Sequence, residues 1–342
     1  MQMNLKQLAE HLGLSQTTVS RALNGYPEVN EETRIRVKQA ATAHNYRPNA
    51  RASALATGRA RAIGHIIPVN SSDWFNPIFA EFIAGASKTY SKHGYELLLK
   101  MANEDEEETT YKEIASRKSV DGVIVHGPRL NDSRIPLLQS LQLPFVIHGR
   151  DTTNDSEYAW IDINNRRAFF QATKLLIDLG HSEIALINGI ETMTFAARRR
   201  IGYLDALQEA GITADAQLMF ADDLTESNGY QVATKLLNQA KRPSAFLVSS
   251  YMGALGVRRA IHNAGLEMGK DISVIIHDDD LSYFHNSDDV PQFTATRSSV
   301  KEAGTLAAEM LLAIIDNPAA QLPTRLLNAN LIIGSSTGPV RR

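Results

Sequence analysis

The chain has 342 residues, 43% hydrophobic and 21% charged, and no cysteine, which excludes disulfides and thiol catalysis. No apolar run approaches the roughly 20 residues of a membrane span. The formal net charge of −3 is unevenly spread: residues 1–61 hold nine lysines and arginines against four glutamates, a net +5, which leaves −8 on the other 281 residues. A basic head on an acidic body is the asymmetry expected when only the head meets phosphate.

The first predicted element is "NLKQLAEHLGL". Asn4 suits an N-cap, Leu5, Leu8, Ala9 and Leu12 share one helical face, and Gly13 suits the end of a helix. The next, "SQTTVSRALNG", is capped by Ser15 and turns Val19, Ala22 and Leu23 inward, leaving Thr17, Ser20 and Arg21 outward and Gln16 at the exposed N-terminal end. A third helix follows from Asn30 with Val37, Ala40 and Ala41 inside. Two short amphipathic helices joined by a tight glycine turn form a helix-turn-helix candidate. The hydroxyl, amide and guanidinium groups of the second helix can read base edges in a major groove, with Arg21 suited to guanine. A small bundle with a solvated polar face fits this fragment as well.

"YRPNARASALATGRA" comes next. Pro48 disfavours helix at Arg47, and Asn49 can cap a new helix reaching to about Thr57. So short a helix is marginal in water, and Leu55 is its only large apolar side chain. It reads as a flexible linker, or as a hinge that folds on DNA with Leu55 as a minor-groove wedge. From "LKQLAEHLGL" to "ALATGRA", and most specifically in "TVSRALNG" paired with "YRPNARASALATG", the sequence closely resembles the head and hinge of the lactose/galactose repressor (LacI/GalR) family. The resemblance implies base reading by Gln16, Thr17 and Arg21, insertion of Leu55 at the operator centre, and minor-groove positions for Arg51 and Ala52. Ser15, Thr18, Ser20, Asn24 and Asn49 complete the expected DNA-facing set.

Beyond Ile63, apolar runs alternate with helical stretches: "AIGHIIPV", "YELLLKM", "VDGVIVHG", "PFVIHGR", "EIALING", "SAFLVSS" and "ISVIIHD". Strands spaced by helices predict parallel α/β sheets, here two subdomains. The body resembles the periplasmic-binding-protein fold. The expected architecture is therefore α/β: an N-terminal all-α helix-turn-helix head and a periplasmic-binding-protein-like body of two parallel-sheet α/β subdomains. The head spans 1–48 and the hinge and linker 49–61. The body spans 62–342, its N-subdomain about 62–161 plus 292–322 and its C-subdomain about 162–291 plus 323–342.

Ligands in open α/β sheets sit at the carboxyl ends of strands. Those ends carry Asn70, Trp74, Phe75, Asn76 and Phe79 after the first run, then His126, His148, Arg150 and Ser250. Polar groups beside aromatics suit a hydroxyl-rich ligand whose apolar face lies on a ring. The family resemblance adds Arg199, from the R-x-x-G-aromatic pattern in "RRIGY", then Asp278, Leu224 and Phe293. Two departures stand out: Tyr251 replaces the usual aspartate after "VSS", and "IIHDD" replaces the usual "GxDD" turn.

There is no G-x-G-x-x-G after a strand, no P-loop and no H-E-x-x-H. A carboxylate pair in a cleft could hydrolyse glycosides, but a DNA-reading head would be superfluous to that. The expectation is a non-enzymatic, sequence-specific DNA-binding regulator, most simply a repressor of carbohydrate genes. Its expected partners are operator DNA, a mono- or disaccharide effector and a second copy of itself, with no cofactor, metal or membrane. The polar N-terminal helix, unlike a signal peptide, suggests the cytoplasm. A nucleobase-responsive regulator and a sugar-processing enzyme are the alternatives.

Overall fold

The computed structural model describes residues 3–46, 58–68, 77–151, 157–286 and 289–341. The chain divides into two compact units, Met1–Ala62 with Glu113–Asp121, and the remainder.

In the first unit lie helices α1 (Leu5–Leu12), α2 (Gln16–Leu23) and α3 (Glu31–Ala43). Each starts where a side chain can satisfy an orphan backbone donor. Asn4 and Gln7 form a reciprocal capping box, while Ser15 accepts from Thr18 N at 3.0 Å and Asn30 from Thr33 N at 2.8 Å. Gly13 ends α1 at φ 65°, a left-handed conformation that costs glycine little. Leu8, Val19 and Val37 are fully buried and meet Ala9, Ala22 and Ala41, so one large side chain and one alanine from each helix build the core. The α2–α3 turn is tied by Arg34, which donates to the carbonyls of Tyr26 and Val29.

The second unit holds two six-stranded sheets. Strands β1 (Ala62–Pro68), β2 (Glu96–Ala102), β3 (Gly122–His126), β4 (Phe145–His148) and β5 (Trp160–Ile163) enter the first, and β6 (Ile184–Asn188), β7 (Met219–Ala221), β8 (Ala245–Val248), β9 (Ser273–Asp278) and β10 (Thr294–Arg297) the second. β11 (Thr324–Leu327) then returns to the first sheet and β12 (Asn330–Ile332) to the second, giving orders β11-β5-β4-β3-β1-β2 and β12-β10-β9-β8-β6-β7. The helices are α4 (Pro77–Lys92), α5 (Glu107–Ser116), α6 (Arg134–Ser140), α7 (Asn165–Asp178), α8 (Thr194–Glu209), α9 (Glu226–Leu237), α10 (Tyr251–Asn263) and α11 (Val300–Asp316). All seven apolar runs form strands. Those covered on both faces, such as β6, β8 and β9, are buried at every position, which is why they read as unbroken apolar runs. The edge strand β2 alternates instead.

The crossing points differ from the sequence expectation. Pairing of β10 with β9 keeps Thr294–Arg297 in the second sheet, and pairing of β11 with β5 keeps Thr324–Leu327 in the first. The chain therefore crosses between Ile163 and Asn165, between Arg297 and Val300, and between Leu327 and Asn330, rather than near 292 and 322. Short strands such as "TATR" and "TRLL" carry too little apolar pattern to declare a sheet.

Neighbouring helices pack backbone to backbone at glycines. A Cβ on Gly202 of α8 would lie 2.1 Å from the Arg166 carbonyl oxygen of α7, so the two backbones touch there. Gly85 and Gly304 do the same for α4 and α11. Gly202→Ala must push α8 off α7, and we expect a loss of about 1–3 kcal/mol of stability, measured by urea unfolding.

A polar group with no solvent exposure packs beside the first core. His65, on β1, has no solvent exposure, and its Nε2 and Nδ1 lie 2.9 Å from the Tyr90 hydroxyl and from His126 Nε2. Burial pushes its pKa from 6.5 down to about 3. The unfolded chain therefore binds a proton that the folded chain refuses, so stability is full above pH 6.5 and declines as pH falls toward 3. The melting temperature should drop across that window, and His65→Gln should make the drop shallower without abolishing it, because other buried histidines are held below their ordinary pKa as well.

Candidate functional site

On α2, Gln16, Thr17 and Arg21 are exposed while Val19 and Ala22 on the opposite face are buried. Four other DNA-facing positions are also engaged within the head. The Ser15 hydroxyl lies 2.8 Å from that of Thr18, and Asn24 Nδ2 donates to Ser20 Oγ at 3.4 Å. Thr18, Ser20 and Asn24 are half-buried, so they steady the helix whose outer edge is Gln16, Thr17 and Arg21. Asn49, Arg51, Ala52 and Leu55 lie outside the described residues.

In the second unit, the strand orders 2-1-3-4-5 and 7-6-8-9-10 are both doubly wound, with switch points between β1 and β3 and between β6 and β8. Clefts form at the carboxyl ends of strands flanking such points. At the first, the final residues of β3 and β4, His126 and His148, stand in register, and the His126 ring stacks on His65 with centroids 5.2 Å apart. Phe79 meets the His126 ring edge-on at 5.0 Å, and Phe82 lies 4.5 Å from His148. Burial drives His126 well below its ordinary pKa, helped by its two histidine neighbours. His148 falls to about 4, again by burial, against an opposing pull from Asp279 on the second sheet. This wall is neutral at physiological pH.

At the second switch point α8 delivers Arg199, which is only 5% exposed. Its Nε donates to Asn165 Oδ1 and one terminal nitrogen to the Ser249 carbonyl, both at 2.7 Å, and its guanidinium lies 4.9 Å from the Phe195 ring centroid and 5.1 Å from that of Phe169. Burial lowers its pKa to about 10, opposed by Asp279 and Asp162. Asp279 shows the reverse: burial raises its pKa, but His277, Arg199 and His148 outweigh this and hold it below the usual carboxylate value. Asp279 also approaches His277 Nε2 at 3.4 Å.

The two walls are joined at several points. Pro128–Leu130 pairs antiparallel with Thr192–Thr194 through Leu130 N to Thr192 O and Thr194 N to Pro128 O, both 3.0 Å. Arg198 reaches Asp162 at 3.0 Å and also donates to the Arg150 carbonyl, while Arg150 Nε meets the same aspartate at 3.0 Å. Glu81 of α4 accepts from the Ser282 hydroxyl at 2.7 Å.

The structure thus brings Phe79, His126, His148 and Arg199 to strand ends facing the two switch points, with Arg150 bound into the first wall. Three other expected contacts are placed differently. Asp278 turns its carboxylate to Arg297, 2.9 Å away, and Asp279 carries the charge that acts on Arg199. Ser250 caps α10, accepting from Gly253 N at 3.0 Å. Phe293, expected at the cleft edge, has no exposed surface and packs in the second core against Tyr251. Leu224 is half-buried beside Gly189. Asn70, Trp74, Phe75 and Asn76 lie outside the described residues. Sequence reasoning missed Asp279, Asn165, Phe169 and Phe195. The run "HDDD" signalled a carboxylate but not which aspartate acts on Arg199, and no motif singled out the two phenylalanines.

Among the described residues no group of histidines and carboxylates could hold a metal ion, and no helix is long and apolar enough to cross a membrane. Residues 4–49 match the model of bacterial regulatory proteins of the lacI family, and residues 173–337 that of a periplasmic binding protein-like domain. The HTH-type transcriptional regulator AglR of Rhizobium meliloti (strain 1021) is 44% identical over 99% of this chain and 95% of its own length. The transcriptional regulator CelR in complex with cellobiose superposes with a TM-score of 0.72 at 26% identity, covering 98% of this chain and 99% of CelR. The Lac repressor dimer bound to operator and the anti-inducer ONPF shares the fold, with a TM-score of 0.82 at 24% identity over 99% of this chain and all of that one. A helix-turn-helix head, a doubly wound two-sheet body and 44% identity to AglR over 99% of the chain place this chain in the LacI family of DNA-binding transcriptional regulators.

Proposed function

We propose that the protein is a repressor of carbohydrate uptake or catabolism genes, acting in the cytoplasm as a homodimer. Its operator affinity is set by a mono- or disaccharide held between the two sheets. The observation that carries this reading is Arg199: a buried guanidinium between two phenyl rings, with two of its five N–H donors used among the described residues. Three donors remain for ligand oxygens, and the neutral imidazoles of His126 and His148 can each donate to or accept from a hydroxyl. The cellobiose complex of CelR, a 26% identical protein of the same fold, supports a saccharide.

Dimerisation is supported by the first sheet's edge. Leu97, Leu99 and Met101 of β2 are 37%, 49% and 41% exposed and, at alternate positions, share one face of the strand. A second copy can cover such a stripe, and two heads held one DNA turn apart read a two-part operator. The effector acts only through its different affinity for the two subdomain arrangements.

Two measurements test the reading. Arg21→Ala should weaken operator binding by about 1–3 kcal/mol and relax selectivity at one base pair. Unchanged affinity and selectivity in a salt-controlled titration would show that α2 does not present Arg21 to bases. In a thermal-shift and calorimetry panel of mono- and disaccharides, at least one sugar should stabilise the protein. Arg199→Lys, which keeps the charge but loses the fork of donors, should weaken that sugar by about 1–3 kcal/mol while operator binding without effector is retained. Stabilisation by a nucleobase and by no sugar would overturn the saccharide.

A further inference from the structure

The chain is gripped just before it enters the first sheet. Ala60 and Arg61 donate their backbone N–H groups to the two carboxylate oxygens of Asp121, at 2.6 and 2.9 Å. Asp121 donates its own N–H to the Ala62 carbonyl at 2.9 Å. Ala62 opens β1 and Asp121 immediately precedes β3, and the two strands pair from Ile63 and Gly122 onward. The Asp121 side chain thus continues the ladder backwards, past the point where β3 begins. Arg61 adopts φ 54°, a left-handed conformation that a non-glycine residue keeps only where its surroundings impose it. Glu113–Asp121 belongs to the same compact unit as Met1–Ala62.

Resting on the dimer reading above, we infer that Asp121 is the positioning residue that fixes the root of the linker, and with it the spacing at which two heads meet DNA. Only Gly58 and Arg59 separate this clasp from residue 57, the end of the expected hinge, and two residues span at most about 7 Å. The head is therefore tethered close to a fixed point at the start of the first sheet. Two heads on one operator are linked binding modules, whose joint affinity depends on how well the linkage matches the span between half-sites. A root held by two charge-assisted hydrogen bonds arrives pre-organised, whereas a free root must be immobilised at each docking.

A carboxylate suits this task better than its nearest substitutes. Both of its oxygens only accept, so it takes two adjacent N–H groups side by side. An asparagine amide accepts through one oxygen and turns a donor toward the second N–H. Alanine offers no acceptor at all.

The test uses the full chain and a short duplex selected by the wild-type protein from a random library. Two controls accompany it: the same duplex with one base pair inserted between its half-sites, and one of scrambled sequence. The insertion separates and rotates the half-sites, so wild type should bind it more weakly than the selected duplex. In Asp121→Ala and Asp121→Asn, affinity for the selected duplex should fall by about tenfold, and the insertion penalty should shrink by a similar factor. The scrambled duplex, held through its phosphates alone, should bind as it does to wild type. Asp121→Asn, close in size to the native residue, keeps the test decisive if the alanine variant does not fold. A merely structural role would lower the melting temperature and leave the insertion penalty of the folded protein as it was. An unchanged penalty in a folded variant, or an equal loss on the scrambled duplex, overturns the inference. A selected duplex with a single half-site refutes the dimer reading instead, and unchanged affinity of the variants for that duplex then overturns the clasp as well.

Discussion

Arg199 carries a full positive charge into a site where the residue is only 5% exposed. Burying an unpaired cation is costly, so the surroundings must supply polar partners and opposite charge. Asn165 at the start of α7 and the Ser249 carbonyl at the end of β8 each take one N–H, Phe169 and Phe195 offer their ring faces, and Asp279 supplies charge from the end of β9. These partners come from four elements of the second sheet's layer or the turns that follow them, Asn165 and Phe169 both from α7. The guanidinium is therefore correctly surrounded only when α7, α8, β8 and β9 are packed together. Gly202, three residues on, serves the same end by letting α8 touch the α7 backbone at Arg166. Tyr203 then anchors to the Ile184 carbonyl at 2.8 Å. In the R-x-x-G-aromatic pattern, the arginine belongs to the site and the glycine and tyrosine belong to the packing that holds it.

The contacts between the two sheets' layers are of a different kind. They are strand-like pairing of Pro128–Leu130 with Thr192–Thr194, an arginine-aspartate group around Asp162, and Ser282 on Glu81. Apolar contact between the layers includes Leu281, packed in the first core, and Phe284, which packs against both cores. Polar contacts exchange readily with water, so separating the layers costs far less than unfolding either sheet. The rigid parts are thus the two cores, and the adjustable part is the polar seam between them.

Much of this organisation is legible in the sequence. Asn4, Ser15 and Asn30 announce three helix starts through cap chemistry, and the seven apolar runs become seven strands, because a local rule decides each of them. Sheet membership of β10 and β11 was not legible, since four-residue strands are assigned by partners far away in sequence. Within the site, Arg199 was visible through its motif and His126 and His148 through their places at strand ends. The choice between Asp278 and Asp279 was not. Where a strand ends, alternation stops directing side chains, and Arg297 takes Asp278 while the charge of Asp279 acts on Arg199. Phe293 misled for a related reason: Asn286 clamps both its backbone groups and turns the ring into the second core.

The pairing of Asp278 with Arg297 also bears on how cleft and crossing points are connected. Arg297 is the last residue of β10, where the chain leaves the second sheet for α11 against the first. Its partner sits beside Asp279, and the Asp279 carbonyl accepts from Val300 N at 3.2 Å at the start of α11. A backbone shift at Asp279 therefore acts directly on a segment that joins the two layers. The residue whose side chain balances Arg199 is, through its main chain, a member of the hinge. One short turn thus holds both a carboxylate whose charge acts on Arg199 and a backbone contact to the segment that joins the two layers.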